Sequence, residues 1–195
     1  MSQAPILLSL SETQACLQGY DPQAMSVQQV LNFLRLWVNT VSDTEWLPTL
    51  QAEGRILAED VISPISVPPH DNSAMDGYAL RGAELQAGQA SRLKVVGTAL
   101  AGAAWQGTVS TGECVRIMTG AIMPAGLDTV APQELVQTEG DTVLVPPGLL
   151  QAGDNRRLLG EDLMAGQPAL PAGARLTPAA CGLLASLGLP TVPVW

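Results

Sequence analysis

Apolar positions recur at helical spacing in two stretches of the chain. The rest reads as short strands and turns. Val27, Val30, Leu31, Leu34, Trp37, Val38 and Val41 repeat at steps of three and four, which predicts a helix over about 26–40. Ser26 with Gln29 three residues on makes a capping box at its start. Phe33 and Leu36 widen the apolar stripe, so contacts on more than one side are expected. The second helix is predicted over about 178–187. Thr177 suits the N-cap, Pro178 the first helical position and Gly188 the residue past the end, with Cys181, Leu184 and Leu187 as an apolar row.

Between these helices the period changes to that of strands. Strands are predicted at 92–98, at 114–118, and at 129–136 and 142–145, the last two flanking a hairpin turn at Thr138-Glu139-Gly140-Asp141. Short extended pieces are expected at 45–50 and 189–194, and a short strand and turn at 167–173. Residues 51–60 read as a turn followed by either one short helix or an extended segment. Residues 1–25 are weakly patterned, either a flexible lead or a short helix around 11–18. The expected fold class is mainly β with a few helices (α+β).

Composition supports that class. Gly 19 and Pro 15 sit between short apolar runs, and aromatics are only 4%, so aliphatic side chains must fill the core. The net charge is −9 with Lys94 as the only lysine, so no cationic cluster exists for nucleic acid or an anionic membrane. An anionic small molecule would need backbone N–H groups or an arginine. Cys16, Cys114 and Cys181 are widely spaced and odd in number, which fits buried reduced thiols in a cytoplasmic protein. No apolar run of about 18 residues and no basic-then-apolar leader indicates a membrane span or signal peptide.

The densest candidate chemistry lies in Pro68-Pro69-His70-Asp71-Asn72-Ser73-Ala74-Met75-Asp76-Gly77-Tyr78. The prolines rigidify the entry, and Asp, Asn and Ser stabilise turns, so the residues read either as a polar turn or as a site. Asp71 and Asp76 are oxygen ligands of the kind Mg²⁺ takes, with Asp76 the better candidate because Gly77 permits close backbone approach. Thr119-Gly120-Ala121 ends a strand, and its N–H groups and hydroxyl could hold an anion or simply make a turn. Arg156-Arg157 beside Gly160-Glu161-Asp162 could pair internally or meet an anionic ligand. His70, the only histidine, suits a solvent-facing or turn role.

The order of these residues resembles the MoeA family, molybdopterin molybdenumtransferases related to the gephyrin E domain. The resemblance rests on Pro69-His70-Asp71-Asn72-Ser73-Ala74-Met75-Asp76-Gly77-Tyr78-Ala79, on Gly54-Arg55-Ile56-Leu57-Ala58-Glu59-Asp60-Val61 before it, and on Arg116-Ile117-Met118-Thr119-Gly120-Ala121 after it. Gly160-Glu161-Asp162, Pro171-Ala172-Gly173 and Ala185-Ser186-Leu187-Gly188 follow in family order.

The resemblance implies an enzyme that inserts molybdate into adenylylated molybdopterin with release of AMP, assisted by Mg²⁺, in an elongated homodimer. It implies a discontinuous first domain (1–62 and 163–195) and a β-rich second domain inserted within it (63–162). By position it marks Asp76 and Thr119 as catalytic, Asp76 also as a metal ligand, and Asp71, Asn72, Ser73, Gly120 and Arg157 as substrate-binding. Leu158-Leu159 stands where the family often has further arginines. The apolar ending at Leu189–Trp195, with no counterpart of the family's third-domain segments, is expected to mark a chain carrying the first two domains only. Such a chain would be inactive by itself, and the alternative is a non-catalytic dimerisation scaffold.

Overall fold

A computed structural model describes residues 26–38 and 40–195. The possible helix around 11–18 and Cys16 lie outside the described residues. Helix α1 (Val27–Trp37) starts as its sequence predicts. The Ser26 hydroxyl accepts from the Gln29 N–H, and the Ser26 N–H donates to Gln29 Oε1 at 2.8 Å. The helix stops three residues short of 40, because Val38 takes an extended conformation (φ −82°, ψ 118°). The residues there, Val38, Asn39, Thr40 and Val41, are weak helix formers. Among the described residues nothing covers its stripe: Val27, Val30, Leu31 and Leu34 are exposed.

Among the described residues twelve short strands carry most of the remaining order. A six-stranded sheet contains β4 (Gly77–Leu80), β5 (Ser91–Ala99), β6 (Glu113–Ile117), β7 (Thr129–Pro132), β8 (Gln137–Glu139) and β9 (Thr142–Val145), in the order β7-β4-β6-β5-β9-β8. Strands β8 and β9 form a hairpin at the expected turn, with Gly140 at φ 62°, but the expected strand over 129–136 is not its first arm: β7 pairs with β4, and a 3₁₀ turn over Gln133–Leu135 separates it from β8. The pairing of β5 with β6 is parallel and the other pairs are antiparallel. A parallel pair needs a long crossover, and residues 100–112 supply it. Trp105 from that crossover packs so tightly on β5 that a Cβ at Gly97 would lie 2.4 Å from its Nε1.

The remaining strands form two-stranded ribbons: β1 (Glu45–Pro48) with β12 (Thr191–Val194), β2 (Val61–Ile62) with β11 (Pro168–Leu170), and β3 (Asn72–Ser73) with β10 (Arg156–Arg157). Helix α2 (Pro178–Ser186) has the predicted Thr177 cap, whose hydroxyl accepts from the Ala180 N–H. Residues 51–60 contain no α-helix. A 3₁₀ turn over Thr49–Gln51 precedes extended chain, in which Ile56 bridges Arg175 and Leu57 bridges Val194. Burial of Ala52 and Leu57 against α2 and β12 decides this over local helix propensity.

Three apolar clusters make the core. One joins Leu57, Val61, Leu176, Leu184, Val192 and Val194. The other two lie on opposite faces of the large sheet: Ala79, Val115, Ile117 and Val130 on one, Tyr78, Leu80, Cys114 and Ala131 on the other. Strand β4 is therefore buried along its whole length, with both faces covered. The protein is mainly β with few helices. No described helix is long and apolar enough to cross a membrane.

Gly77 sets how closely β4 approaches β7. A Cβ there would lie 2.0 Å from the Ala131 carbonyl oxygen, which is backbone and cannot turn aside. Gly77→Ala is expected to lower the unfolding free energy by about 2 kcal/mol or more, read as a drop in the denaturant midpoint; an unchanged midpoint contradicts the packing described.

Candidate functional site

The polar loop before β4 is fixed from two sides. On one, β3 pairs with β10 so that Asn72 opposes Arg157 and Ser73 opposes Arg156. On the other, the turn after β6 lies against the same residues. The Ser73 N–H donates to the Ala121 carbonyl at 3.0 Å, the Gly120 N–H to the Ser73 carbonyl at 2.8 Å, and the Met123 N–H to the Asp71 carbonyl at 2.9 Å. Strand register does the rest. Gly77 on β4 pairs with Ile117 on β6, so Asp76 and Met118-Thr119 emerge together at the same end of the pair.

There the two residues selected from sequence meet. Asp76 Oδ1 accepts from the Thr119 N–H at 2.7 Å and from the Thr119 hydroxyl at 2.8 Å. These bonds favour the ionised carboxylate. The Thr119 N–H foremost and then its hydroxyl hold the Asp76 carboxyl below its ordinary value; burial opposes them, and the Arg116 charge adds the smallest lowering effect. Among the described residues Asp76 Oδ2 has no hydrogen-bond partner, so one carboxylate oxygen stays open at the surface.

The other candidates divide. Asp71 is a strut: its Oδ1 accepts from the Leu159 N–H at 2.8 Å, and its Oδ2 lies 3.6 Å from an Arg156 guanidinium nitrogen. It ties the 155–162 loop to the site. Ser73 is 1% exposed, and its hydroxyl donates to the Met75 carbonyl at 2.6 Å, so it shapes the turn from within. Asn72 Oδ1 is buried and unpartnered, an acceptor with unmet capacity beside the site. Arg157 is engaged internally. Its Nε donates to Glu161 at 2.6 Å, and a terminal nitrogen donates to Asp162. The Glu161 and Asp162 carboxylates push the Arg157 pKa up, and Arg157 foremost holds Glu161 below its ordinary value. Leu158 and Leu159 are both partly exposed.

One reading needs correction. The Thr119-Gly120-Ala121 turn reads in sequence either as an anion holder through its N–H groups or as a plain turn, and the hydrogen bonds go against the first. All three are already donated: Thr119 to Asp76, Gly120 to Ser73, and Ala121 to the Met118 carbonyl at 2.9 Å. Gly120 serves the turn, with φ 79°. Two arginines have places that the sequence does not assign: Arg156 is named from sequence only together with Arg157, and Arg116 only within a motif. Arg156 holds Asp71, and Arg116 stands beside Asp76. The usable signal for Arg116 was a cation inside the otherwise apolar strand Cys114-Val115-Arg116-Ile117.

No group of three or more His, Cys, Asp or Glu that could hold a metal occurs among the described residues. Asp76 offers a single uncommitted oxygen. The described residues therefore do not build a magnesium site by themselves.

These features define a mainly β chain that presents an acid–hydroxyl pair where two paired strands end. The family model described as MoeA N-terminal region (domain I and II) matches residues 25–188, and the chain belongs to that family. It is 46% identical over 151 residues to a molybdopterin molybdenumtransferase of Haemophilus influenzae, covering 77% of this chain and 37% of that protein. A Bacillus subtilis protein of the same name is 37% identical over 158 residues, covering 78% of this chain and 37% of that protein. The crystal structure of a molybdopterin biosynthesis MoeA protein from Pyrococcus horikoshii OT3 superposes with a TM-score of 0.74 at 35% identity, over 80% of this chain and 42% of that one. The chain thus spans about two-fifths of the length of these relatives.

Because the bonded pKa of Asp76 lies below its ordinary value of 3.8, the Thr119 bonds contribute stability that is fully present above about pH 4 and is lost as pH falls through the lowered value. An NMR titration of the Asp76 carboxyl carbon is expected to give a midpoint below 3.8. In Thr119→Ala the backbone donor remains and the hydroxyl is gone, so the midpoint moves part of the way back up. A native midpoint at or above the ordinary value refutes the bonded pair.

Proposed function

We propose that this chain is the N-terminal part of a molybdopterin molybdenumtransferase, which inserts molybdate into adenylylated molybdopterin and releases AMP. Asp76 is the main site residue. The observation that carries the reading is its doubly bonded carboxylate with one open oxygen, at the place the family resemblance marks. A carboxylate held below its ordinary pKa stays ionised at neutral pH, so it is a poor proton donor. Its role is to orient: its open oxygen accepts hydrogen bonds from substrate. Thr119 fixes the carboxylate's direction, since its hydroxyl proton is already engaged. Asp71 and Arg157 keep the 155–162 loop in place beside it.

The reading includes two domains, 63–162 inserted within 1–62 and 163–195. Supporting it, the apolar cluster around Leu57 and Leu184 draws on the outer segments only, and the two sheet clusters draw on the inner one. Strands β2 and β11 pair where the chain leaves and returns. A cytoplasmic setting is part of the same reading, supported by the unpaired Cys114 and Cys181, both buried; burial pushes the Cys114 thiol up to about 12.

The test replaces the matching segment of the Haemophilus influenzae relative with this chain and asks for molybdenum cofactor synthesis in cells lacking that relative. The native chimera is expected to restore synthesis, and Asp76→Ala is expected to abolish it. Equal synthesis with native and Asp76→Ala chimeras rejects the site; a native chimera that folds but restores nothing rejects the function.

The second reading is a dimerisation scaffold, favoured by the exposed stripe of α1. Val27 is 77% exposed, and Val30, Leu31 and Leu34 are each near 40%. A homodimer burying this stripe is expected to dissociate on Leu31→Glu with Leu34→Glu, seen by sedimentation. A native chain that sediments as a monomer at high concentration rejects it.

A further inference from the structure

An oxyanion at Asp76 needs hydrogen-bond donors or positive charge, and the turn beside it has neither to give. The Thr119, Gly120 and Ala121 N–H groups and the Thr119 hydroxyl all donate within the chain. Of the neighbouring arginines, Arg157 is held by Glu161 and Asp162, while Arg156 is paired with Asp71 at 3.6 Å and its Nε is buried without a partner, out of reach of a ligand. Farther off, Arg55, Arg81, Arg92 and Lys94 each lie in an ion pair. Among the described residues Arg35, Arg116 and Arg175 have none. Arg35 is on α1 and Arg175 bridges Ile56, both away from the loop.

Arg116 is different in place. It lies on β6, three residues before Thr119, opposite Tyr78 on β4 and Thr98 on β5. Its strand neighbours Val115 and Ile117 are fully buried in one sheet face. Alternation sends Arg116 to the other face, where it is exposed. Its guanidinium has no hydrogen bond or ion pair among the described residues, yet it is near enough to Asp76 to favour that carboxylate's charged form.

We propose that Arg116 is the cationic anchor for the oxyanion at this site, binding molybdate or the phosphate of the adenylylated pterin next to the Asp76–Thr119 pair. Its planar guanidinium can donate two parallel hydrogen bonds to a tetrahedral oxyanion. Its charge also offsets the repulsion that Asp76 would exert on such a group. The substrate named here rests on the molybdenumtransferase reading; the anion site itself does not.

The experiment titrates the native 195-residue chain with molybdate, and separately with AMP, following the backbone signal of Thr119 and the side-chain Nε signal of Arg116 by NMR. Sodium chloride at matched ionic strength is the control. Saturable shifts of both signals are expected. Arg116→Gln is expected to weaken binding about tenfold or more, with Arg116→Lys in between, since Lys keeps the charge without the paired donors. The arm that saturates at lower concentration identifies the oxyanion.

No saturable shift with either anion, or equal binding by native chain and Arg116→Gln, overturns the proposal. The chimera separates the two readings. If Asp76→Ala abolishes cofactor synthesis while Arg116→Gln leaves the KM for molybdate and the KM for adenylylated molybdopterin unchanged, the function stands and the anchor falls. If the folded native chimera restores nothing but the chain binds anions through Arg116, the anchor stands and the function falls.

Discussion

The close passage of Gly77 beneath the Ala131 carbonyl governs the architecture around the site. Strand β4 has only four residues and is covered on both faces. A strand so short keeps its register through backbone contact with both neighbours, and any side chain at Gly77 would push β7 away. Register then fixes the chemistry. With Gly77 opposite Ile117, the next residues along each strand, Asp76 and Met118-Thr119, must leave the sheet side by side. A slip of one residue would exchange the faces of β4 and separate the carboxylate from its donors.

Around that constraint the loop residues have distinct tasks, although the sequence presents them as one polar cluster. Ser73 closes the turn from inside, Asp71 clamps the loop carrying Arg156, and Asp76 alone keeps a free carboxylate oxygen. Three of these side chains could each have been a ligand group by composition. Only hydrogen-bond partners distinguish a strut from a site, and partners 43 and 88 residues away in sequence cannot be read from a single chain.

The elements were legible where local chemistry decides them. The capping box at Ser26, the Thr177-Pro178 start of α2 and the turn around Gly140 all form as their residues predict, although the first arm at that turn is Gln137–Glu139 and not the expected 129–136. Legibility ended where tertiary contacts decide: residues 51–60, left open between a short helix and an extended segment, are extended because Ala52 and Leu57 are buried. The parallel pairing of β5 with β6 also escaped notice, since nothing in either strand distinguishes a parallel neighbour from an antiparallel one. For the site, motif order identified Asp76 and Thr119, while the use of every donor in the Thr119-Gly120-Ala121 turn emerged only from the three-dimensional pairing.

That pairing changes how an acidic protein can receive an anion. A net charge of −9 suggests repulsion. Exposed charges farther than about 8 Å apart are largely screened at physiological ionic strength, so the sum over the chain matters less than the balance within a few ångströms. Near the site that balance is set by pairs. Asp71 is matched by Arg156, and Glu161 and Asp162 share Arg157. What remains is Asp76 and Arg116, opposite in sign and both partly open to solvent. In the proposed anchor, a tetrahedral oxyanion meets one attractive and one repulsive group, so its bare oxygens are drawn toward Arg116 and pushed away from Asp76.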